Sequence, residues 1–213
     1  MGRWQLRAST GVGAFHGDEL MAGDWLAARR TEVAADRILD AAGELFATKE
    51  AAAVGMHEIA SAAGCSRATL YRYFENRDAL YTAYVHRESY RLYREMTDQI
   101  MSVLDPRERL IEGMLSSLRN VRESPALASW FATTQRPIGA AMAEQSQVIK
   151  ALTEAFVISL GSDAPDVVEH RARWLVRVMM SLLVFPGHDD ADERRMLEEF
   201  VVPIVLPSRQ ATQ

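Results

Sequence analysis

The sequence predicts an all-α protein of about nine helices, and three observations carry that prediction. From Thr31 onward, apolar residues recur at three- and four-residue steps in nearly every stretch, which is the helical period. The breaks between stretches carry helix-start chemistry: Asn76, Asp105 and Ser124 each offer a capping side chain, the last two directly before Pro106 and Pro125. No stretch alternates apolar and polar residues with the period of two that a half-buried strand requires.

Composition bounds the rest. A chain of 213 residues with 48% apolar content can bury the core of one large domain, or of a small domain beside a larger one. With 25% charged residues, 12 glycines and 7 prolines, it is neither a disordered nor a fibrous composition. The net charge of −5 argues against indiscriminate coating of nucleic acid. A local basic face remains open, because the field at a site depends on how charge is distributed. Cys65 is the single cysteine and forms no internal disulfide, so a reducing cytoplasm is the expected location. The N-terminus has no apolar core of a secretory signal. The run from Trp174 to Phe185 contains Arg177 and falls short of the roughly 20 apolar residues that a bilayer needs.

Each element has its own justification. Residues 1–28 lack clear periodicity and are expected to form a flexible extension, with Met21 a second candidate start. Val33, Ile38, Leu39, Ala42 and Leu45 make a stripe that ends near Phe46. Met56, Ile59, Ala60 and Ala63 make a shorter one, broken at Gly64, and Leu70 and Phe74 continue beyond the break. Asn76 opens a long helix through Leu80, Tyr84, Tyr90 and Tyr93. Helices then start at Pro106 and Pro125, two more run over 137–160 and 164–185, and a last one follows "GHDDADE" and fades at Pro203. The expected organisation is the extension over 1–28, a small unit over 29–78 and a larger one over 79–213.

Two short helices joined by a glycine-containing turn form a helix-turn-helix arrangement. Gly64 supplies the left-handed conformation that ends the first helix, and Ser66 is a good cap for the second. On a helical wheel of residues 66–74, Leu70 and Phe74 face inward. Ala68, Thr69 and Arg72 face outward, with Arg67 and Tyr71 at the margins. Such a face suits a major groove, where guanine acceptors meet arginine. Tyr73 and Arg77 stand where hydroxyl and guanidinium groups hold phosphates. Residues 64–77 hold Arg67, Arg72 and Arg77 against Glu75, a local excess of positive charge within an acidic chain. A solvated helical hairpin with no partner is the alternative that this spacing leaves open.

The stretches "RILDAAGELF" and "IASAAGCSRATLYRYFENRDALYTAY" resemble the DNA-binding domain of TetR-family transcriptional regulators. The resemblance is strongest over residues 31–85, and its core is "GCSRATLYRYFENRDAL". It implies a three-helix domain that reads operator DNA as a homodimer, and an all-helical C-terminal domain that binds a small effector. Such a regulator is most often a repressor of a neighbouring efflux or metabolic gene. By position, the resemblance places Arg67, Ala68, Thr69 and Arg72 on base edges, and Ser66, Tyr71, Tyr73 and Arg77 on phosphates. Tyr73 stands where many members have histidine. Glu50 and Ala51 replace the usual glycine and aromatic, and Gly55 replaces the usual capping Ser or Thr. The loop between the first two helices is therefore expected to be more helical than usual.

In the larger unit, "WLVRVMMSLLVF" is apolar around nearly its whole circumference, so it is expected to be buried on more than one side. Trp174, Val178, Ser181, Leu182 and Phe185, with Met196 and Phe200 of the last helix, are the candidate faces of a four-helix dimer interface. A central helix buried within a monomer is the alternative. Met101, Met114, Trp130, Phe131, Met142 and Phe156 are candidate linings of a pocket for a mostly apolar effector with one or two polar anchors, or plain core. Cys65 is expected to fill the helix-turn-helix corner, His57 to be solvated, and "GHDD" to begin a helix rather than bind metal. His170 has no partner in view for catalysis. No nucleotide-binding loop, zinc-protease motif or nucleophile elbow is present, so no catalytic residue, metal or cofactor is assigned. A helical interaction module and a cofactor-free helical enzyme remain the alternative functions.

Overall fold

The computed structural model describes residues 18–131, 138–161 and 163–206, with side chains from Thr31 onward. Every regular element among them is helical. None of these helices is long and apolar enough to cross a membrane. The chain divides into two compact units, residues 1–37 and 38–213.

The first unit contributes the N-terminal part of α1, Asp18–Phe46. Residues 18–28 are thus helical, where the sequence reading expects a flexible extension; residues 1–17 lie outside the described residues. The reason is local. Leu20, Met21, Ala22, Leu26, Ala27 and Ala28 favour helix even without an apolar stripe, and Asp18 and Glu19 complement the positive end of the helix dipole.

In the second unit, α1 continues to Phe46 and a single 3₁₀ turn, Ala51–Ala53, leads to α2, Met56–Ala62. That turn is the extra helical character expected from Glu50 and Ala51. Then come α3, Arg67–Tyr73, and α4, Arg77–Ile100, which runs unbroken from beside α3 into the larger bundle. The bundle adds α5 (Pro106–Glu123), α6 (Pro125–Ala128), α7 (Ile138–Gln145), α8 (Gln147–Leu160) and α9 (Pro165–Val184). It closes with α10 (Asp190–Met196), a π-helical turn (Leu197–Val201) and α11 (Val202–Val205).

The caps behave as their residues dictate. Asn76 accepts from the Ala79 N–H at 2.8 Å, Asp105 from Glu108 at 3.0 Å, and Asp189 of "GHDD" from Asp192 at 2.7 Å. The single helix expected over 137–160 is two. Buried Ser146 turns its hydroxyl to the Ile149 N–H at 3.2 Å, starting α8 there instead of extending α7. The last helix runs past Pro203 to Val205. Pro203 has no N–H to give the regular ladder, and the π turn before it absorbs the shift in register.

Leu110, Ile111 and Leu118 of α5, Val157 of α8, Leu175 of α9 and Leu197 form the centre of the bundle core. Ions fasten α10 to its side. Glu193, 2% exposed, receives Arg122 through both oxygens at 2.6 and 2.9 Å, and the Gly187 N–H at 3.0 Å. Burial pushes its carboxyl up, but Arg122 and the Gly187 amide outweigh that and hold it below the ordinary glutamate range. Arg194 joins Glu108 and Glu112 of α5 to Glu198.

Candidate nucleic-acid interface and chamber

The turn between α2 and α3 is fixed by backbone chemistry. Gly64 has φ +65°, a left-handed conformation that glycine adopts without strain. The Cys65 N–H then reaches the Ala60 carbonyl at 3.0 Å and the Gly64 N–H that of Ser61 at 3.1 Å, the paired bonds of a Schellman ending. Ser66 caps α3 by accepting from the Thr69 N–H at 3.0 Å, and its hydroxyl lies 2.9 Å from that of Thr69. Leu70 and Phe74 are buried; Arg67, Ala68, Tyr71 and Arg72 are exposed, and Thr69 and Tyr73 half-buried. Cys65 is half-exposed rather than filling a corner, and His57 is exposed. Neither Arg67 nor Arg72 has a carboxylate partner among the described residues. The Arg72 guanidinium lies over the Tyr73 ring, 5.3 Å from its centre. The exposed face of α3 is therefore cationic and uncompensated.

Arg77, a candidate phosphate contact, also has partners within the chain. Its guanidinium donates to the Ala52 carbonyl at 2.5 Å and covers the Tyr81 ring at 4.8 Å. Tyr81, buried, shares its one hydroxyl hydrogen between the carbonyls of Ala51 and Val54, at 2.5 and 2.8 Å, and burial pushes its phenol above the usual range. Together these two residues of α4 hold the loop that leads into α2. At the start of α2, Gly55 has no side chain to cap with. Glu58 supplies the missing half by accepting from the Gly55 N–H at 3.2 Å. The Lys49 ammonium, then that same amide, hold the Glu58 carboxyl below its ordinary range.

Inside the bundle lies a chamber of about 200 Å³. Of the candidate lining residues, Met114, Trp130, Phe131 and Phe156 line it and Met101 and Met142 do not. Met101 is 78% exposed because α4 ends at Ile100, leaving it beyond the bundle face, and Met142 sits on α7 half-buried outside the lining. Among the described residues no charged side chain lines the chamber. The Ser89, Ser117 and Thr153 hydroxyls each donate to the carbonyl four residues back, at 2.7, 2.7 and 2.8 Å, so they offer only acceptor lone pairs, while Tyr93 brings a hydroxyl to the lining and Trp130 a buried indole N–H without a partner.

Residues 38–84 match the family of bacterial regulatory proteins described as the tetR family. Over 194 residues the chain is 61% identical to the HTH-type transcriptional regulator Rv1255c of Mycobacterium tuberculosis (strain H37Rv), spanning 91% of this chain and 96% of that protein. The chain belongs to the tetR family. Its fold is also that of two solved family repressors. One is AlkX from Dietzia sp. strain DQ12-45-1b, implicated in biodegradation of n-alkanes (24% identity, 79% of this chain and 93% of that one, TM-score 0.57). The other is FadR of Thermus thermophilus in complex with lauroyl-CoA (21% identity, 84% and 98% covered, TM-score 0.58).

In this tetR-family chain, Trp130 belongs to two structures at once. It lines the chamber, and it packs against Phe46 of α1 and Tyr81 of α4 at 5.1 Å each, stacking on Tyr84 at 5.8 Å. Sequence reasoning missed this cluster, as it missed the Tyr81 and Arg77 latch, because both join residues far apart in the chain. It also missed the α4 wall of Val85, Ser89, Leu92, Tyr93 and Met96, although their three- and four-residue spacing is a second stripe on that helix. Of the candidate interface residues, Trp174, Ser181, Phe185 and Phe200 are exposed and Val178 and Met196 half-buried, with Phe185 at 75%; Leu182 is buried in the core of the subunit.

Proposed function

We propose that this tetR-family transcriptional regulator is a dimeric repressor that releases its operator when a small, largely apolar molecule fills the chamber. In this reading residues 29–78 grip duplex DNA and residues 79–213 bind the effector and dimerise. Arg67, Ala68, Thr69 and Arg72 read base edges, while Ser66, Tyr71 and Tyr73 hold phosphates; the loop contacts of Arg77 add a structural task to its phosphate role. The observation that carries the reading is the exposed, uncompensated pair Arg67 and Arg72 on a capped recognition helix. Exposed Trp174, Phe185, Phe200 and Ile204 supply an apolar face for a second copy, in keeping with the prevalence of two-fold dimers.

Release is a shift between two arrangements of α4 and the loop it latches. An occupant of the chamber presses on Trp130, whose cluster reaches Phe46, Tyr81 and Tyr84. Tyr81 holds the entrance to α2, so its displacement changes how the two recognition helices of a dimer are spaced.

A titration of the full chain against DNA flanking its own gene, repeated over a series of salt concentrations, tests the reading. The logarithm of the binding constant should fall with log salt by about 0.9 per phosphate neutralised. Arg72→Ala should cut discrimination between operator and scrambled duplex by about 1–3 kcal/mol. Equal affinity for both duplexes in wild type and variant refutes it.

A further inference from the structure

The chamber has an apolar interior and a charged threshold, and that combination specifies what enters. Ala143 of α7 and Val176 and Met180 of α9 line the chamber and also line a groove of about 530 Å³ on its outer side. The groove is bounded by α7, α8 and α9, and its charged residues are Lys150, Arg173 and Arg177 against Glu144 and Glu169. The cations outnumber the carboxylates there, and the pairing is unequal. A single oxygen of Glu169 serves both Lys150 at 2.8 Å and Arg173 at 3.1 Å. Arg177 reaches Glu144 only at 3.4 Å, with both side chains more than half exposed. Lys150 has a further carboxylate, Glu154, at 3.9 Å outside the groove lining.

Resting on the reading of the chamber as the effector site, we propose that the effector is an anionic amphiphile. Its hydrocarbon tail occupies the chamber and its carboxylate-type head lies in the groove against Arg173 and Arg177. A charge cannot travel further in. Among the described residues the chamber lining holds no ion, the Ser89, Ser117 and Thr153 hydroxyls have given their hydrogens to their own helices, and the unpartnered Trp130 indole N–H and the Tyr93 hydroxyl are too few neutral donors to replace the hydration of a carboxylate. At the threshold the same head shares Arg173 and Arg177 with their exposed partners Glu169 and Glu144 and remains hydrated. Val176 and Met180 separate the two zones, and methionine is flexible enough to let a chain pass. A neutral hydrocarbon fills the interior but leaves the groove unused, and a cationic amphiphile of equal length meets like charge.

The test uses the full chain and three probes of one tail length: decanoate, methyl decanoate and decyltrimethylammonium, titrated by calorimetry. Decanoate should bind at least about fivefold tighter than the methyl ester, the factor that an exposed ion pair gives at the top of its range, and the cation weakest. In Arg173→Gln/Arg177→Gln the carboxylate-to-ester ratio should fall below about twofold. A chamber-filling variant, Leu152→Trp, with Thr153→Leu as a second in case the first does not fold, should exclude decanoate. Equal binding of ester and carboxylate, both excluded by the filled chamber, overturns the headgroup assignment and leaves the chamber as effector site. No binding of any probe, or binding that ignores the filled chamber, overturns both.

Discussion

Replacing Tyr81 by phenylalanine isolates the latch between the bundle and the helix-turn-helix. The ring stays, so its edge-to-face packing on Phe46 at 5.2 Å and its contact with Trp130 are retained. Only the hydroxyl goes, and with it the bonds to the Ala51 and Val54 carbonyls. The Ala51 carbonyl keeps the Val54 N–H at 3.3 Å and an Arg77 nitrogen at 3.4 Å. Val54 is fully buried, and its carbonyl loses the Tyr81 donor. A buried acceptor stripped of its donor costs about 1–3 kcal/mol. In a chain of this length that lowers the unfolding midpoint by about 2–12 °C. Urea unfolding should show the midpoint fall with an unchanged slope, because the surface buried is the same. Since Val54 leads directly into α2, operator affinity should fall as well, while decanoate binding to the chamber is kept or tightens, because a loosened latch favours the released arrangement. A Tyr81→Phe protein with wild-type unfolding and wild-type operator affinity would refute the latch.

Other outcomes follow from the same geometry. Glu193 is held below the ordinary carboxylate range, so its pairing stabilises the fold above the usual glutamate pKa, about 4.3. That contribution should disappear as pH falls below this value; Glu193→Gln should cost about 1.5–3 kcal/mol at pH 7 and flatten the acid limb of a stability profile. Gly113→Ala would put a methyl 2.7 Å from Cζ of Phe156 and drive that ring into the chamber; decanoate affinity in calorimetry should fall about tenfold, equivalent to about 1.4 kcal/mol, with folding retained. The double variant Phe185→Glu/Phe200→Glu should sediment as a monomer and lose operator affinity, because both side chains are exposed apolar groups outside the subunit core.

The sequence by itself determined the local elements. Asn76, Asp105 and Ser124 announce their helices because a capping hydroxyl, amide or carboxylate acts within three residues of itself. The α2–α3 turn was legible for the same reason: Gly64 and Ser66 act on amides beside them. The outward face of α3 follows from helical geometry alone, since Leu70 and Phe74 leave Arg67, Ala68 and Arg72 to solvent. The break at Ser146 was not legible, because Ser is tolerated inside a helix and only its burial against the bundle favoured the cap. Nor did composition separate Met101 from Met114; both are apolar, and only the end of α4 at Ile100 puts one at the surface and the other at the chamber. Tertiary structure alone decided that Arg77 turns to a loop carbonyl, that Trp130 joins Phe46 to the chamber wall, and that Lys150, Arg173 and Arg177 gather at one threshold. A cap senses neighbours a few bonds away, whereas a cavity or a charge cluster exists only where distant helices happen to meet.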